Sequence, residues 1–180
     1  MRDIRPGGNG GLPRSLTNVN GTLYFRATDG SSGYELWKSD GTSAGTVQVR
    51  DIRPGTSGAF PRYLTNVNGT LYFASSGDGV HGYELWTSDG SEAGTKLVKD
   101  INPAGDSFKM PLTTFGSSLV FLANDGTNGN ELWISDGTEG GTVPLTNATP
   151  ASPFNLAQTV TVSNGAMYFL IDDGVHGNEL

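Results

Sequence analysis

One phrase occurs three times in this chain of 180 residues and limits what the chain can fold into. Its copies read GYELWKSDGTSAGT at 33–46, GYELWTSDGSEAGT at 82–95 and GNELWISDGTEGGT at 129–142, and its opening returns as GNEL at 177–180. A second shared phrase, NGTLYF in the first two copies, places phenylalanines 48 positions apart, at Phe25, Phe73, Phe121 and Phe169. Repeats of this length are small structural units that bury their apolar faces against one another.

We therefore predict one repeat domain over residues 1–180. Its units lie at about 2–49, 50–98, 99–146 and 147–180, and the last unit is truncated. Each complete unit contains four short runs of β-branched and aromatic residues, in the first unit at 15–20, 22–28, 34–39 and 46–52. Turn signals separate the runs, and Asn20-Gly21 is typical of a two-residue hairpin. Since no window has apolar residues at helical spacing over three turns, we expect an all-β chain of four-stranded antiparallel units.

Repeated units of four short strands are typical of the blades of a β-propeller. A β-solenoid is the alternative, but its coils are usually shorter and lack repeated hairpins. A single sheet of 48 residues would be marginally stable alone, so each blade has to pack against its neighbours. We expect seven aromatic residues to fill these blade contacts: Trp37, Trp86, Trp133, Phe25, Phe73, Phe121 and Phe169. The leucine before each tryptophan is expected to point to the opposite face.

Composition limits the partners. The chain has 18 acidic and 11 basic residues and a net charge of -7, so no positive field favours nucleic acid. No apolar run approaches the ~18 residues of a membrane helix, so we expect no direct membrane insertion. Cysteine is absent, which leaves no cysteine nucleophile or thiolate metal site in this sequence.

The phrases ELWKSDGTSAGT, ELWTSDGSEAGT and ELWISDGTEGGT resemble the ELWxxDGTxxGT repeat, a family of tandem repeats in large bacterial secreted or surface proteins. The resemblance covers nearly the whole chain, although Ser91 replaces the motif threonine in the second unit. It implies a propeller-like array and an extracellular or cell-surface location. It implies no reaction, so no catalytic residue is carried over.

A second loop in each unit pairs an aspartate with a glutamate across a glycine-rich turn. Such oxygen ligands suit calcium, which needs six to eight of them. The candidate ligands are Asp29, Glu35, Asp78, Glu84, Asp125, Glu131, Asp173 and Glu179. The competing interpretation, which we favour, is that the aspartate caps its own turn while the glutamate contacts a neighbouring blade. No other cofactor is expected.

We predict no catalytic residues. The two histidines, His81 and His176, lie in these acidic loops rather than beside the Ser-Asp-Gly-Thr segments, so no triad is formed. A quasi-symmetric array instead favours repeated, multivalent binding, for which Tyr34, Tyr83 and the two histidines are the candidate contacts. We therefore expect a binding or adhesion module, with carbohydrate as a ligand that tyrosine rings can stack on. The alternatives are a purely structural spacer and, with least support, an enzyme.

The ends of the sequence raise the question of ring closure. The residues RDI at 2–4 match RDI at 50–52, where a fourth strand ends, while the last unit stops within its third strand. Either the chain is part of a longer array, or two copies form a homodimeric ring of about eight blades, within the usual ~4 to 8.

Overall fold

The computed structural model describes residues 2–108, 111–146, 160–169, 171–172 and 178–179. Their regular structure is entirely β-strand, and these residues form no helix, which confirms the all-β prediction. No membrane-spanning helix is found among them. The strands are β1 (Arg14–Val19), β2 (Thr22–Ala27), β3 (Glu35–Ser39), β4 (Val47–Arg50), β5 (Arg62–Val67), β6 (Thr70–Ser75), β7 (Glu84–Ser88), β8 (Lys96–Lys99), β9 (Thr113–Phe115), β10 (Ser118–Asn124), β11 (Asn130–Ser135), β12 (Val143–Pro144), β13 (Val160–Ser163), β14 (Ala166–Phe169), β15 (Ile171–Asp172) and β16 (Asn178–Glu179).

The strands form one four-stranded antiparallel sheet in each of the first three units, as the sequence predicts. The first sheet has the order β1-β2-β3-β4, the second β5-β6-β7-β8, and the third β9-β10-β11-β12. The fourth unit contributes the pairs β13-β14 and β15-β16. Strands β4 and β8 end at Arg50 and Lys99, one residue beyond the unit bounds expected from the sequence.

The predicted Asn-Gly hairpins are present. Asn20 and Gly21 have φ values of 50° and 83°, and the equivalent pair Asn68 and Gly69 has 50° and 84°. Two successive residues with positive φ are the requirement of the turn type that matches the twist of paired strands. The hairpin therefore sets the register in which β1 pairs with β2 and β5 with β6.

Successive sheets stack with their first strands side by side. Strand β1 lies beside β5, β5 beside β9, and β9 beside β13. Between the first two sheets, Trp86 and Phe73 of the second pack in one buried cluster with Leu36 and Val49 of the first. The next junction repeats the arrangement with Trp133, Phe121, Leu85 and Val98. At both junctions the later sheet presents its tryptophan and the earlier sheet its leucine.

The leucine-bearing face of the third sheet and the tryptophan-bearing face of the first sheet have different surroundings. The third sheet packs Leu132 against a cluster that includes the partly buried Met167 and Phe169 of the fourth unit. On the first sheet, Trp37 and Phe25 have no preceding sheet in the described residues and pack instead with Ile4 and Leu23. This surface, which we call the Trp37 face, borders an open groove of about 350 Å³.

The N-terminal residues sit on the Trp37 face in the way that the end of a fourth strand sits on the other sheets. The Arg2 guanidinium donates a hydrogen bond to the Thr46 carbonyl at 2.9 Å. Arg50 binds the equivalent Thr95 carbonyl, and Lys99 binds that of Thr142 at 2.9 Å. Residues 2–4 are not a strand themselves, yet they reproduce part of the contact that a preceding sheet would make.

Candidate functional site

The β3–β4 loop is held together by its own polar residues. Asp40 Oδ1 accepts hydrogen bonds from the amide and the hydroxyl of Thr42, at 2.9 and 2.7 Å. The Thr42 hydroxyl accepts a bond from the Gly45 amide at 2.9 Å, and the Thr46 hydroxyl donates to the Thr42 carbonyl at 2.7 Å. A side chain at position 45 would collide with the Asp40 carboxylate, which explains the glycine. The DGTxxGT part of the repeated phrase is therefore one hydrogen-bonded loop.

The second unit shows why serine can replace the motif threonine. The Ser91 hydroxyl donates to Asp89 at 2.7 Å and accepts from the Gly94 amide at 2.9 Å. The third unit makes the same two bonds through Thr138. Because the loop uses the hydroxyl and not the methyl group, serine preserves every bond. These hydroxyls are engaged in loop structure, so the geometry gives no activated nucleophile.

The aspartates of the acidic loops cap their own turns. Asp29 Oδ1 accepts hydrogen bonds from the amides of Ser31 and Ser32 at 2.7 and 2.9 Å. Burial acts to raise the pKa of Asp29, but the bonds donated by Ser32 and Ser31 outweigh it and lower the pKa to about 2. Asp125 accepts two amide bonds in the same way, at 2.8 and 2.7 Å. The carboxylate charge is thus used to hold the turn.

Glu35 and Glu84, which begin the first two ELW segments, are fully buried and bind the connection to the next sheet. Glu35 accepts hydrogen bonds from the amides of Ile52 at 3.0 Å, Arg53 at 3.3 Å and Ala59 at 2.9 Å. All three amides lie between β4 and β5. The glutamate therefore fixes the chain as it passes from one sheet to the next.

In the second unit, Glu84 does the same for the connection between β8 and β9. It accepts bonds from the amides of Ile101 and Asn102 and from the Ser107 hydroxyl at 2.7 Å. Burial raises the pKa of Glu84 to about 7, although these hydrogen bonds act to lower it. The equivalent Glu131 is 2% exposed.

These contacts match the interpretation in which the aspartate caps a turn and the glutamate contacts a neighbouring blade. In the part of the chain that the structure describes, no three acidic or histidine side chains form a group that could hold a metal ion. A calcium site between the two carboxylates of one loop stays a prediction. Asp173 and the side chain of Glu179 lie outside the described residues.

The candidate ligand contacts are partly placed. His81 Nδ1 lies 3.1 Å from Asp78 Oδ1 within the β6–β7 loop, and His176 lies outside the described residues. Tyr34 and Tyr83 are half-buried rather than exposed, and each carries a guanidinium over one ring face. Arg26 lies 5.4 Å from the centre of the Tyr34 ring, and Arg62 lies 4.9 Å from that of Tyr83. Each ring is therefore part of a cationic and aromatic pair.

Neither arginine was among the residues expected from the sequence to contact a ligand. The signal was a departure from the repeat: Arg26 stands where the other units have Ala74, Leu122 and Leu170. A charged residue at one position of an otherwise apolar series marks a unit that differs from its copies.

Comparison with known proteins shows a likeness of fold only. No protein-family model and no curated protein sequence matches the chain. Among solved structures, it is similar to a puromycin hydrolase mutant complexed with PGG, with a TM-score of 0.55 and 16% identity over 91% of this chain. A second structure of puromycin hydrolase gives a TM-score of 0.51 and 15% identity over 91% of this chain. The chain spans about a quarter of those proteins, 26% of each.

Proposed function

We propose that the stacked sheets are blades of a propeller-like array and that the array is a non-catalytic, multivalent binding module. The observation that carries this proposal is the repeated stacking, in which β1 lies beside β5, β5 beside β9 and β9 beside β13. Stacking of this kind brings equivalent loops to the same end of the array. Several weak contacts of one kind then add up through avidity.

The loop geometry supports binding over catalysis. The polar residues of the β3–β4 loop and its copies bind one another, and the buried glutamates bind the connections between sheets. These groups have structural partners already.

Carbohydrate is the proposed ligand, and a panel of glycans tests it. We expect saturable binding in isothermal titration calorimetry, about tenfold weaker when Tyr34 and Tyr83 are both replaced by leucine. The His81→Ala variant measures the contribution of the loop histidine, and titrations with calcium and with EDTA test the metal prediction. Absence of binding to every glycan would favour the alternative function, a structural spacer.

We further propose that the Trp37 face binds another unit of the same kind and that a second copy of the chain supplies it. Leu16, on this side of the first sheet, is 62% exposed, whereas the equivalent Leu64 packs against the cluster between the first two sheets. Tyr168 of the fourth unit is 42% exposed, while the equivalent Tyr24 and Tyr72 are buried between sheets. Two such surfaces are complementary because every internal junction joins them. Native mass spectrometry should show the dimer, a ring of about eight blades.

The resemblance to ELWxxDGT repeats supports a location outside the cell or at its surface for a protein that contains this array. Fractionation of cells that produce the full-length protein, followed by immunodetection, tests this location. Recovery of the protein from the cytoplasmic fraction alone would contradict it.

A further inference from the structure

Three arginines of the first two units lie close together at one end of the stacked sheets. Arg14 on β1 and Arg26 on β2 are direct cross-strand partners. Arg62 begins β5, the strand that lies beside β1. We call these three residues the arginine cluster. They come from two neighbouring sheets, so their proximity depends on how those sheets stack.

The backbone is irregular at Arg14 on β1 and at Arg62 on β5. The pairing of β1 with β2 shifts register directly after Arg14, and that of β5 with β6 shifts directly after Arg62. The next residue in each strand, Ser15 or Tyr63, has a positive φ, 57° and 56° respectively. Non-glycine residues seldom adopt this conformation, and bulges of this kind re-aim side chains near binding sites.

Tyrosine rings orient two of the guanidinium groups. Arg26 lies over Tyr34, and Arg62 lies over Tyr83 at a closer distance of 4.9 Å. Tyr34 is itself supported by Phe60, with ring centres 5.2 Å apart. Guanidinium groups held on aromatic faces lose less freedom when they bind a partner, which favours binding.

The charge of the arginine cluster is not neutralised within the described residues. The ion pair found there joins His81 to Asp78, and no carboxylate lies within ion-pair distance of these guanidiniums. The nearby Asp106 carboxylate accepts a hydrogen bond from the Tyr83 amide at 2.9 Å. Nε of Arg26 is buried without a hydrogen-bond partner.

The positive charges also act on one another. Burial, followed by the charges of Arg62 and Arg14, lowers the pKa of Arg26, which nevertheless stays protonated. Such a cluster is unexpected in a chain with a net charge of -7. A buried donor without a partner on Arg26, together with the like charges of Arg14 and Arg62, favours an anionic partner.

We infer that the arginine cluster binds an oxyanion, a carboxylate, sulfate or phosphate group, with Tyr34 and Tyr83 as the adjoining ring surfaces. Planar guanidiniums bind such groups through paired hydrogen bonds. This inference rests on the proposed binding function and specifies its ligand as an acidic one. The cluster belongs to the first two units, because the sequence has Met110 and Gln158 where Arg14 and Arg62 stand.

Titration of the full chain with three probes, glucuronate, inorganic phosphate and glucose, tests the inference. NMR follows the indole and guanidinium resonances during each titration. We expect saturable shifts of the arginine Nε–Hε signals with the two anions and none with glucose. Binding should weaken when salt is raised, because the charges are partly exposed. Preference for glucuronate would assign a carboxylate-bearing saccharide, and preference for phosphate would assign a phosphate or sulfate group.

The double variant Arg14→Gln/Arg62→Gln should bind the preferred anion at least tenfold more weakly. Both side chains are exposed, so the fold should be retained. The control is Lys96→Gln, which removes an exposed positive charge from β8 at the outer edge of the second sheet and should leave binding unchanged.

The outcomes separate this inference from the proposed function. Binding of neutral glycans without binding of either anion would overturn the oxyanion site and leave the binding module in place. Equal losses in Lys96→Gln and in the double variant would also overturn it, because they would show a general charge effect. Absence of binding to any anion or glycan would overturn both proposals.

Discussion

The tryptophan-bearing faces of the first and second sheets have nearly the same residues and different neighbours. On the second sheet, Trp86 lies in a buried cluster that includes Leu36, Val49 and Ile52 of the preceding unit. On the first sheet, Trp37 is just as buried, 3% exposed against 5% for Trp86, but it packs with Phe25 and the N-terminal Ile4 beside an open groove that Phe25 lines. The repeat therefore encodes a sheet with two apolar faces, and what covers the tryptophan-bearing face differs: the preceding sheet at Trp86 and the N-terminal residues at Trp37.

This difference shows where stability comes from in such an array. Each of the two junctions between the first three sheets buries one tryptophan face and one leucine face together, so the gain belongs to the pair of units. The Trp37 face also buries its tryptophan, but against the N-terminal residues and not against a second sheet. Substitutions of equivalent residues on the two faces should then lower the free energy of unfolding by unequal amounts.

The largest expected effect is at the tryptophan that lies between two sheets. Trp86→Ala should lower the free energy of unfolding by about 3 to 5 kcal/mol, because it leaves a cavity between two sheets. Trp37→Ala should cost about half as much, since fewer buried side chains surround it. Urea denaturation of both variants measures this pair. Equal losses would show that the two faces are equally supported.

A second large effect is expected at the connection between sheets. Glu84→Ala removes the acceptor for three donors and should cost about 2 to 4 kcal/mol, because the buried amides of Ile101 and Asn102 lose their partner. Glu84→Gln keeps one acceptor oxygen and should cost less. If alanine were tolerated without loss, water would have to replace the carboxylate.

The same glutamates should make stability depend on pH. Burial raises the pKa of Glu35 and of Glu84 from 4.5 to about 7 each, so the folded chain binds more protons than the unfolded chain between these values. This contribution is fully present below about pH 4.5 and is lost as the pH rises through 7. Urea titrations at pH 5 and 8 should show the loss, and Glu35→Gln/Glu84→Gln should reduce it. An unchanged slope in the double variant would assign the effect to other groups.

Much of this architecture follows from the sequence. Strand positions and hairpins are predictable because alternation and the Asn-Gly pair are local signals. The faces of Trp86 and Leu85 follow from the two-residue period of a strand. The partners of Glu35 do not follow, because they lie 17 to 24 residues away in an irregular connection.

The arginine cluster was also beyond reach of the sequence. Arg26 on β2 and Arg62 on β5 are 36 positions apart in the sequence. They come together only because the first two sheets stack with β1 beside β5. Periodicity reveals what the units share, whereas Arg26 has no counterpart in the other units, where Ala74, Leu122 and Leu170 stand.

The smallest expected effect on stability concerns the β3–β4 loop and its copies. Thr42→Val removes the hydroxyl that accepts from Gly45 and should cost about 1 kcal/mol. Ser91→Thr restores the motif residue and should change stability by less than about 0.5 kcal/mol, because the hydroxyl is retained. Thermal unfolding of the two variants checks the contrast. A costly Ser91→Thr would show that the methyl group does not fit.

The proposal that the Trp37 face binds a second copy of the chain, as neighbouring sheets bind one another, can be decided by sedimentation equilibrium. The experiment compares the chain with its Leu16→Asp variant. Leu16 is 62% exposed, so aspartate there should leave the single chain folded. We predict a concentration-dependent dimer for the unmodified chain and a monomer for the variant, both with the same circular dichroism spectrum. The proposed dimer contact would be contradicted if the unmodified chain stayed monomeric at all concentrations. It would also be contradicted if the variant dimerised equally well.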